Sequence, residues 1–399
     1  MKKIGTLILI ILISLCSTSC VVTGGTKNDF EQKPFKNVIL IIGDGMGMEH
    51  IEATELYNGN KLSFTNWHNS RVNTDSIDAN GNLVLTDSAA GATAISTGNL
   101  TINGYVGKNS KGNDLETIID IASNLGKRTG VISTESIIGA TPASFSGHSI
   151  SRSNSEEIFK SQITSSNVNL FCGHEEPLAI ANQELLAANN YNFCNDFDKV
   201  GETFAFDRNY WQFNMSGSNP EIALKDVTKN ALNYLDKDED GFFLMIEQAH
   251  IDKYAHSNNL EGVINCVNYL DQTVETIINW LGERDDTLVI VTADHETGGL
   301  MCSAEVEYEN TYLTKTGQNF SYNFTTTDHT NSPIGIFVYG DKTNFKSYSK
   351  YHSAEIIKNI NTFDYLKNIF KQKKENNPIG LFFFRKILLF TLHKLYFKI

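Results

Sequence analysis

Five short apolar runs alternate along the chain with longer segments in which apolar residues recur every three or four positions. Each run is bounded by polar residues or glycine, a pattern typical of strands that are buried on both faces of a parallel sheet. Segments 115–125 and 259–281 carry the helical spacing. The alternation predicts an α/β fold, a doubly wound, mostly parallel central sheet with helices on both faces. The predicted strands are Asn37–Ile42, Thr129–Ser133, Gly241–Ile246, Thr287–Thr292 and Ile334–Tyr339.

Acidic and imidazole side chains gather where these strands end or begin. In open α/β sheets ligands bind beyond the carboxyl ends of the strands, so we expect these side chains to share one rim. Carboxylates crowded there would raise one another's pKa unless cations lay between them, and imidazoles supply the nitrogen ligands that zinc favours. The sequence therefore predicts a site for divalent metal ions. The residues concerned are Asp44, Glu247, Asp252, His256, Asp294, His295 and His329.

The segment TDSAAGATAIS, Thr86 to Ser96, places one acid and one hydroxyl ahead of a run of small residues. In one interpretation Ser88 only caps a helix that lies close to the sheet. In the other, Ser88 is a nucleophile, because the unpaired N–H groups and partial positive charge of a helix N-terminus suit a phosphate. The segment alone leaves both interpretations open.

The composition limits the kinds of molecule that the protein can be expected to bind. The chain has 399 residues, enough for one large α/β domain or two smaller ones, and its net charge is −13 from 33 basic and 46 acidic residues. Such a charge argues against nucleic acid as a specific partner. An acidic protein that handles an anionic substrate needs local positive charge, and metal ions are the simplest source of it.

Residues 1–20 have the pattern of an export signal, with two lysines, an apolar run and small polar residues before Cys20. Ser17 to Cys20 resembles a loose bacterial lipoprotein box, which predicts a lipid on Cys20 and attachment to a membrane; plain signal cleavage is the alternative. Either way we expect an exported protein of a bacterium, periplasmic or anchored in a membrane. In that compartment Cys172 and Cys194 could form a disulfide or remain buried free thiols.

Six motifs occur in the order found in alkaline phosphatases, so the chain resembles that family from about Asn37 to Tyr339. The motifs are DGMG, TDSAAGATA, ATPASFSGHSISR, EQAHIDKYAH, TADHETGG and DHT. The resemblance implies an alkaline phosphatase-like catalytic domain over 30–370. Within it, 303–327 is predicted to be a loop region or small subdomain beside the site. The basic, apolar tail 371–399 could lie on a membrane surface or be a dispensable terminus.

The matched positions carry the family's site residues over to this chain. The resemblance implies Ser88 as the nucleophile, Arg152 as a planar clamp for two phosphate oxygens, and two zinc ions and one magnesium ion as cofactors. A zinc ion beside Ser88 would favour its alkoxide, since metal coordination lowers the pKa of a bound oxygen acid. The implied ligands are Asp252, His256 and His329 for one zinc, Asp44, Asp294 and His295 for the second, and Asp44, Thr141 and Glu247 for magnesium, with Asp44 bridging.

Two positions bear on the magnesium site. Gly139 stands where the family commonly has Asp or His, two residues before Thr141, so one polar group around the third metal ion is missing. Lys253 could reach the substrate phosphate through water, or it is a surface lysine. With Gly139 opposite Lys253, the third site is predicted to be weak or to hold another ion.

The resemblance implies a metal-dependent phosphomonoesterase that hydrolyses small phosphate monoesters through a phosphoserine intermediate. One alternative is a phosphodiesterase or sulfatase-type hydrolase on the same scaffold, although the segment after Asp87 lacks the C/S-x-P-x-R setting of such sulfatases. Another is a non-catalytic, metal-binding surface lipoprotein. A homodimer is expected from the family alone.

Overall fold

The central feature of the computed structural model, which describes residues 35–174 and 176–340, is a nine-stranded sheet. The predicted strands are present within one or two residues of their predicted bounds. In chain order the strands are β1 Asn37–Gly43, β2 His68–Val72, β3 Ser76–Ile77, β4 Leu83–Val84, β5 Arg128–Ser133, β6 Leu170–Gly173, β7 Tyr191–Cys194, β8 Arg208–Gln212, β9 Phe242–Gln248, β10 Thr287–Thr292, β11 Glu296–Thr297, β12 Leu300–Ser303, β13 Asn310–Leu313, β14 Asn319–Phe324, β15 His329–Thr330 and β16 Ile334–Tyr339.

Helices fill most of the connections between these strands, and the 3₁₀ helix Phe197–Ala205 precedes β8. The α-helices are α1 Met48–Asn58, α2 Ser88–Thr97, α3 Ile118–Asn124, α4 Ala140–Ser146, α5 Ser155–Ser165, α6 Pro177–Ala181, α7 Gln183–Ala188, α8 Leu224–Leu235, α9 His250–His256 and α10 Leu260–Leu281. None of these helices is long and apolar enough to cross a lipid bilayer.

The order of strands in the large sheet is β2-β16-β10-β1-β9-β5-β6-β8-β7. From β10 to β7 every neighbouring pair is parallel, whereas β16 is antiparallel to both β10 and β2. The antiparallel strands therefore form one edge of an otherwise parallel sheet. This arrangement confirms the predicted α/β fold.

The core lies on both faces of the middle strands, because helices cover each side. On one side α10 packs against α8 and α1; on the other α2 packs against α4, with α3 beside them, and both α8 and α4 contact β5 and β9. Every residue of β1, β9 and β10 is buried as a result. Each Ile, Val or Leu side chain buried there contributes roughly 1.5–3 kcal/mol relative to exposure.

Two small sheets lie after β10 in the chain. β11 pairs with β15, placing Thr297 opposite His329, and β12, β14 and β13 form a three-stranded antiparallel sheet. Most of 303–327 is thus a hairpin of β13 and β14 added to β12. The pairing of β11 with β15 matters for the site, because it fixes a histidine from late in the chain beside the end of β10.

Cys172 and Cys194 do not form a disulfide, so the alternative prediction of buried free thiols is confirmed. Both cysteines pair with Trp211, which lies on the strand between theirs. Two strand spacings of about 4.8 Å put them beyond the roughly 7 Å that a disulfide allows between Cα atoms. All four cysteines in the described part of the chain are free and buried.

The predicted export signal, the lipid on Cys20 and the tail 371–399 lie outside the described residues. The described residues belong to one compact unit of the chain.

Candidate functional site

The carboxyl ends of three adjacent strands meet at one point of the large sheet. β1 lies between β9 and β10, with Ile42 opposite both Glu247 and Thr292. The Asp44 N–H then donates to the Gln248 carbonyl over 3.1 Å, which extends the pairing one step past the strand. The residues that follow these strands therefore face one another, as the rim argument predicts.

The first predicted zinc group, Asp44, Asp294 and His295, is brought together by short loops. His295 Nε2 lies 3.4 Å from Asp44 Oδ1 and 3.4 Å from Asp294 Oδ2. The other Asp294 oxygen accepts from the backbone N–H groups of Gly45 and His295, at 3.2 and 3.0 Å. Gly45 has φ +71°, and a Cβ there would lie 2.9 Å from the Cα of Asp252, so the loop requires glycine.

The second predicted zinc group, Asp252, His256 and His329, is also assembled. Asp252 and His256 are four residues apart on α9, and His256 Nε2 lies 3.3 Å from Asp252 Oδ1. His329 Nε2 lies 3.6 Å from the same oxygen. The Nδ1 atoms of the two histidines face the carbonyls of Thr327 and Thr86, so their Nε2 atoms are left to face a metal ion.

Asp252 joins the two groups. Its ligand atom lies within 4.8 Å of those of His256 and His329, and also within 4.8 Å of those of Asp44 and His295. The rings of His295 and His329 stack with centroids 3.6 Å apart. The sequence assigned Asp252 to one zinc ion only, whereas the structure places it between the two groups.

Thr297 is a supporting residue that the sequence reasoning missed. Its hydroxyl donates to Asp252 Oδ1 over 2.5 Å and lies 3.2 Å from His295 Nδ1. It thus holds one side chain of each group. The available signal was its place in the TADHETGG motif, two residues after His295, but a buried threonine on a short strand has no distinctive pattern.

The first group is electrostatically strained without a cation. Burial, followed by the charges of Asp294 and Asp252, raises the pKa of Asp44 well above its usual range. Burial and the charge of Asp252 raise the pKa of Asp294 to about 7, and burial lowers the pKa of His295 to about 3. Within the described part of the chain, Asp44 Oδ1 and Asp294 Oδ2 are buried without a hydrogen-bond partner. This donor set fits zinc, because a cation would satisfy both oxygens.

The second group is different because Asp252 and His256 already form a pair. Burial acts to raise the pKa of Asp252, but the hydrogen bond with His256 and the charge of His295 hold it well below its usual range. The hydrogen bond with Asp252 in turn raises the pKa of His256 to about 9. A metal ion would replace that shared proton as the partner of both side chains.

Ser88 lies at the N-terminus of α2, beside the first group. Asp87 caps this helix by accepting from the Ala90 N–H over 2.9 Å, which leaves Ser88 as the first helical residue. The Ser88 hydroxyl lies 3.2 Å from His295 Nε2, and the residue is 4% exposed. A Cβ on Gly91 would lie 2.8 Å from the Asp294 carbonyl oxygen, so the small residues let α2 approach the predicted metal ligands closely. The interpretation of Ser88 as the helix cap is wrong, because Asp87 is the cap, whereas the close approach of the helix that the same interpretation expected is present.

Arg152 reaches the same helix end from the loop after α4. Its Nη1 lies 3.3 Å from Asp87 Oδ2, which also accepts from the Gly104 N–H over 3.0 Å. The Arg152 side chain is 42% exposed, so its remaining N–H groups are available to a ligand. Asp87 thus caps the helix with one oxygen and holds Arg152 with the other.

The predicted magnesium group, Asp44, Thr141 and Glu247, lies where β1, β9 and α4 come together. Glu247 Oε2 accepts a hydrogen bond from the hydroxyl of Ser133, at the end of neighbouring β5. Burial, followed by the charge of Glu135, raises the pKa of Glu247 to about 8. Among the residues that the structure describes, Thr141 Oγ1 is buried without a well-formed hydrogen bond, and it lies near enough to Glu247 to act against the rise in the pKa of that carboxyl. The oxygen-only donor set fits magnesium.

Lys253 lies at this side of the site but faces away from Asp252, the residue before it. Its Nζ lies 2.8 Å from Glu135 Oε1, with both side chains partly exposed. Glu135 received no role from the sequence reasoning, because it belongs to none of the motifs.

Comparison with known proteins indicates the family of the chain. The family model for alkaline phosphatase matches residues 35–171 and 203–376. Alkaline phosphatase 3 of Bacillus subtilis is 30% identical in an alignment 311 residues long, which covers 71% of this chain and 65% of that protein. The chain thus spans slightly less than two thirds of the length of this relative.

Solved structures show the same fold. The alkaline phosphatase of the Antarctic bacterium TAB5 superposes with a TM-score of 0.68 and 30% identity, covering 77% of this chain and 92% of that one. A variant of the TAB5 enzyme in which a histidine is replaced by glutamate, with Mg bound in the M3 site, gives a TM-score of 0.69 at 27% identity, covering 85% and 99%. The family model covers well over half of the chain, and this chain belongs to the alkaline phosphatase family.

Proposed function

We propose that the protein is a metal-dependent phosphomonoesterase that hydrolyses small phosphate monoesters through a phosphoserine on Ser88. The observation that carries the proposal is the position of the Ser88 hydroxyl, 3.2 Å from His295 at a helix N-terminus, beside buried carboxylates. Family membership supports a phosphatase, and the donor sets described above support the choice of metals.

We assign one zinc ion to Asp252, His256 and His329, the other to Asp44, Asp294 and His295, and magnesium to Asp44, Thr141 and Glu247. The Mg in the TAB5 variant supports a magnesium ion in this family. Bound here, the metal ions would supply the positive charge that stabilises a serine alkoxide and the oxygens of a phosphate dianion.

The chain's own residues bind and orient the phosphoryl group. The N–H groups of the first turn of α2 and the Arg152 guanidinium point positive charge at one place, beside the Ser88 hydroxyl. Asp87 restricts the guanidinium to that side through the 3.3 Å contact. This arrangement supports binding of the substrate phosphate beside Ser88 Oγ, where that oxygen can attack phosphorus.

The reaction then consists of two displacements at phosphorus. Ser88 Oγ gives up its proton and forms a bond to phosphorus, the bond to the ester oxygen breaks, and the alcohol leaves after taking up one proton in exchange. Water attacks the phosphoserine, the Ser88 Oγ–P bond breaks, and Ser88 Oγ recovers a proton as inorganic phosphate leaves. Each step conserves charge and needs no external oxidant or reductant.

The deciding experiment compares wild type with Ser88→Ala, both loaded with zinc and magnesium, on p-nitrophenyl phosphate. We expect turnover to fall by roughly 10³-fold or more, because the covalent route is removed. Acid quenching of wild type with substrate should add the mass of one phosphoryl group to the peptide that contains Ser88. Ser96→Ala is the matched control, since Ser96 lies on the same helix and donates to the Ser144 carbonyl instead.

Other outcomes separate the alternatives. Unchanged turnover by Ser88→Ala would remove Ser88 from the mechanism. Faster wild-type turnover of bis-p-nitrophenyl phosphate or p-nitrophenyl sulfate would favour the related hydrolases, and metal binding without turnover of any ester would favour a binding protein. Export, a lipid on Cys20 and a homodimer stay predictions.

A further inference from the structure

Glu135 is an acidic residue at the magnesium group that none of the assignments above uses. It follows the end of β5, and its N–H donates to the Ser133 hydroxyl over 2.9 Å. That hydroxyl donates in turn to Glu247 Oε2. The backbone at Glu135 is therefore tied through one hydroxyl group to a predicted magnesium ligand.

The side chain of Glu135 covers Gly139. A Cβ placed on Gly139 would lie 2.9 Å from the Ser136 carbonyl oxygen, too close unless the loop shifts, and 3.6 Å from both Cγ and Cδ of Glu135. Glu135 thus brings a carboxylate to the place where a side chain on residue 139 would begin. The Glu135 carboxylate, from four residues earlier in the chain, thus stands in for the polar side chain that residue 139 lacks.

The charge of Glu135 raises the pKa of two predicted magnesium ligands. After burial, it is the largest cause that raises the pKa of Glu247, and it also contributes to raising the pKa of Asp44. Such an arrangement of like charges is unfavourable unless a cation lies among them. Among the described residues, Lys253 Nζ forms the ion pair of Glu135 and contacts its carboxylate at Oε1, over 2.8 Å.

We propose that Glu135 is a positioning residue of the magnesium site, holding water molecules of the ion in place of a side chain at position 139. Magnesium keeps several of its waters in protein sites, and a carboxylate beside them orients those waters. The same carboxylate fixes Lys253 at the edge of the phosphate site. This inference deepens the proposed function and rests on its assignment of the magnesium ligands.

The test is the affinity of zinc-loaded protein for magnesium, measured by isothermal titration calorimetry on wild type, Glu135→Gln and Lys253→Met. We expect Glu135→Gln to raise the Kd for magnesium about 10-fold or more, as is typical for loss of a residue that supports metal ligands. Lys253→Met should leave that Kd unchanged or lower it, because it removes a positive charge near the ion. Zinc content should stay at the wild-type value in both variants.

A matched control is Asp196→Asn, which removes the carboxylate of another lysine pair, 3.0 Å from Lys199 and outside the site. It should not change magnesium affinity. Equal affinity in wild type and Glu135→Gln would show that the Glu135–Lys253 pair is an ordinary surface ion pair and would overturn the proposal. Equal losses in Glu135→Gln and Lys253→Met would also overturn it, since the ion pair itself would then be what matters.

The calorimetry does not depend on turnover. A wild-type protein that binds zinc and magnesium but hydrolyses no phosphate ester would defeat the proposed function while the comparison of Glu135→Gln with Lys253→Met still decides this inference.

Discussion

Charged residues lie at both ends of the parallel sheet, but they differ in sign and in how far the protein itself supplies their partners. The carboxyl ends of β1, β9 and β10 hold the candidate metal ligands. Around the amino ends of β5 and β8 lies a cleft of about 1000 Å³, lined in part by Lys127, Arg128 and Arg208. On size and charge alone, that cleft would be an obvious candidate for an anion site.

The charged side chains that line the cleft at the amino ends, however, mostly have partners within the protein. Arg208 donates to the carbonyls of Val168, Asn189 and Ser166, and its guanidinium lies 4.1 Å from the ring centroid of Tyr191. Lys127 Nζ donates to the carbonyls of Lys36 and Asp240. Arg128 lies 3.6 Å from Asp207 and from Asp238. Within the described residues Arg128 Nη1 is the exception, buried without a partner.

At the carboxyl ends, in contrast, several buried polar atoms of the described residues lack well-formed hydrogen bonds. Asp44 Oδ1, Asp294 Oδ2 and Thr141 Oγ1 are buried and, in the part of the chain that the structure describes, lack a well-formed hydrogen bond. Buried polar groups are normally hydrogen-bonded, so unmet oxygens that converge mark a site for something the chain does not itself supply. In this molecule unmet acceptors, rather than volume, distinguish the functional end of the sheet.

The largest effect should come from Asp252, because it contacts both groups of metal ligands. We expect Asp252→Asn to lose both zinc ions and to lower kcat/KM by roughly 10³-fold or more. Asp294→Asn should lose the ion of the first group and retain much of the other. Zinc content by mass spectrometry and turnover of p-nitrophenyl phosphate measure the two effects; equal zinc loss in both variants would contradict a shared position for Asp252.

Much of this end of the sheet could be predicted from the sequence. Each predicted strand is a run of apolar residues covered on both faces, and the residue pattern records that burial directly. Asp44, Asp252 and Asp294 follow such strands within a few residues, so the rule for strand ends places them on one rim. Their place on the rim follows from topology, and the motif order adds their expected roles.

Other parts depended on contacts that the sequence pattern does not record. The pairing of Thr297 with His329 results from two strands of two residues each, too short to show a period. The sharing of Asp252 depends on the turn at Gly45, and the cover of Gly139 by Glu135 depends on a loop after β5. Loop conformation, rather than strand order, fixes these details.

The second effect concerns pH in the metal-free protein. The folded-state pKa values of Asp294, about 7, and Glu247, about 8, lie above their unfolded values, as does that of His256, about 9. Each contributes stability that is present below its unfolded pKa and lost as pH rises through its folded pKa. Because the His256 side chain is 39% exposed, solvent screens much of its contribution, and we expect the free energy of unfolding of chelator-treated protein to fall by about 2–4 kcal/mol between pH 6.5 and 9.

Metal-loaded protein should show little of this slope, because bound cations stabilise the ionised carboxylates and metal binding strengthens as ligands lose protons. His295, with a pKa of about 3, is neutral in the folded protein throughout this range. Thermal unfolding with and without chelator, at several pH values, measures the difference. If the free energy of unfolding of the metal-free protein rises toward pH 9, the carboxylates at this end of the sheet are not destabilised by burial and mutual repulsion, and the prediction is wrong.

The smallest effect on activity should come from the opposite end. Arg208→Ala removes hydrogen bonds to three carbonyls and the contact with Tyr191, so we expect it to lower the free energy of unfolding by about 2–3 kcal/mol. Arg208→Lys should recover only part of this, since an ammonium group lacks the planar fork. In both variants kcat/KM at a temperature well below unfolding should stay within about two-fold of wild type, as for changes far from transition-state contacts, and the pH slope of the metal-free protein should be unchanged. A large fall in kcat/KM with normal metal content would show that the cleft at the amino ends takes part in the reaction, and the contrast between paired and unmet charge would then no longer locate the site.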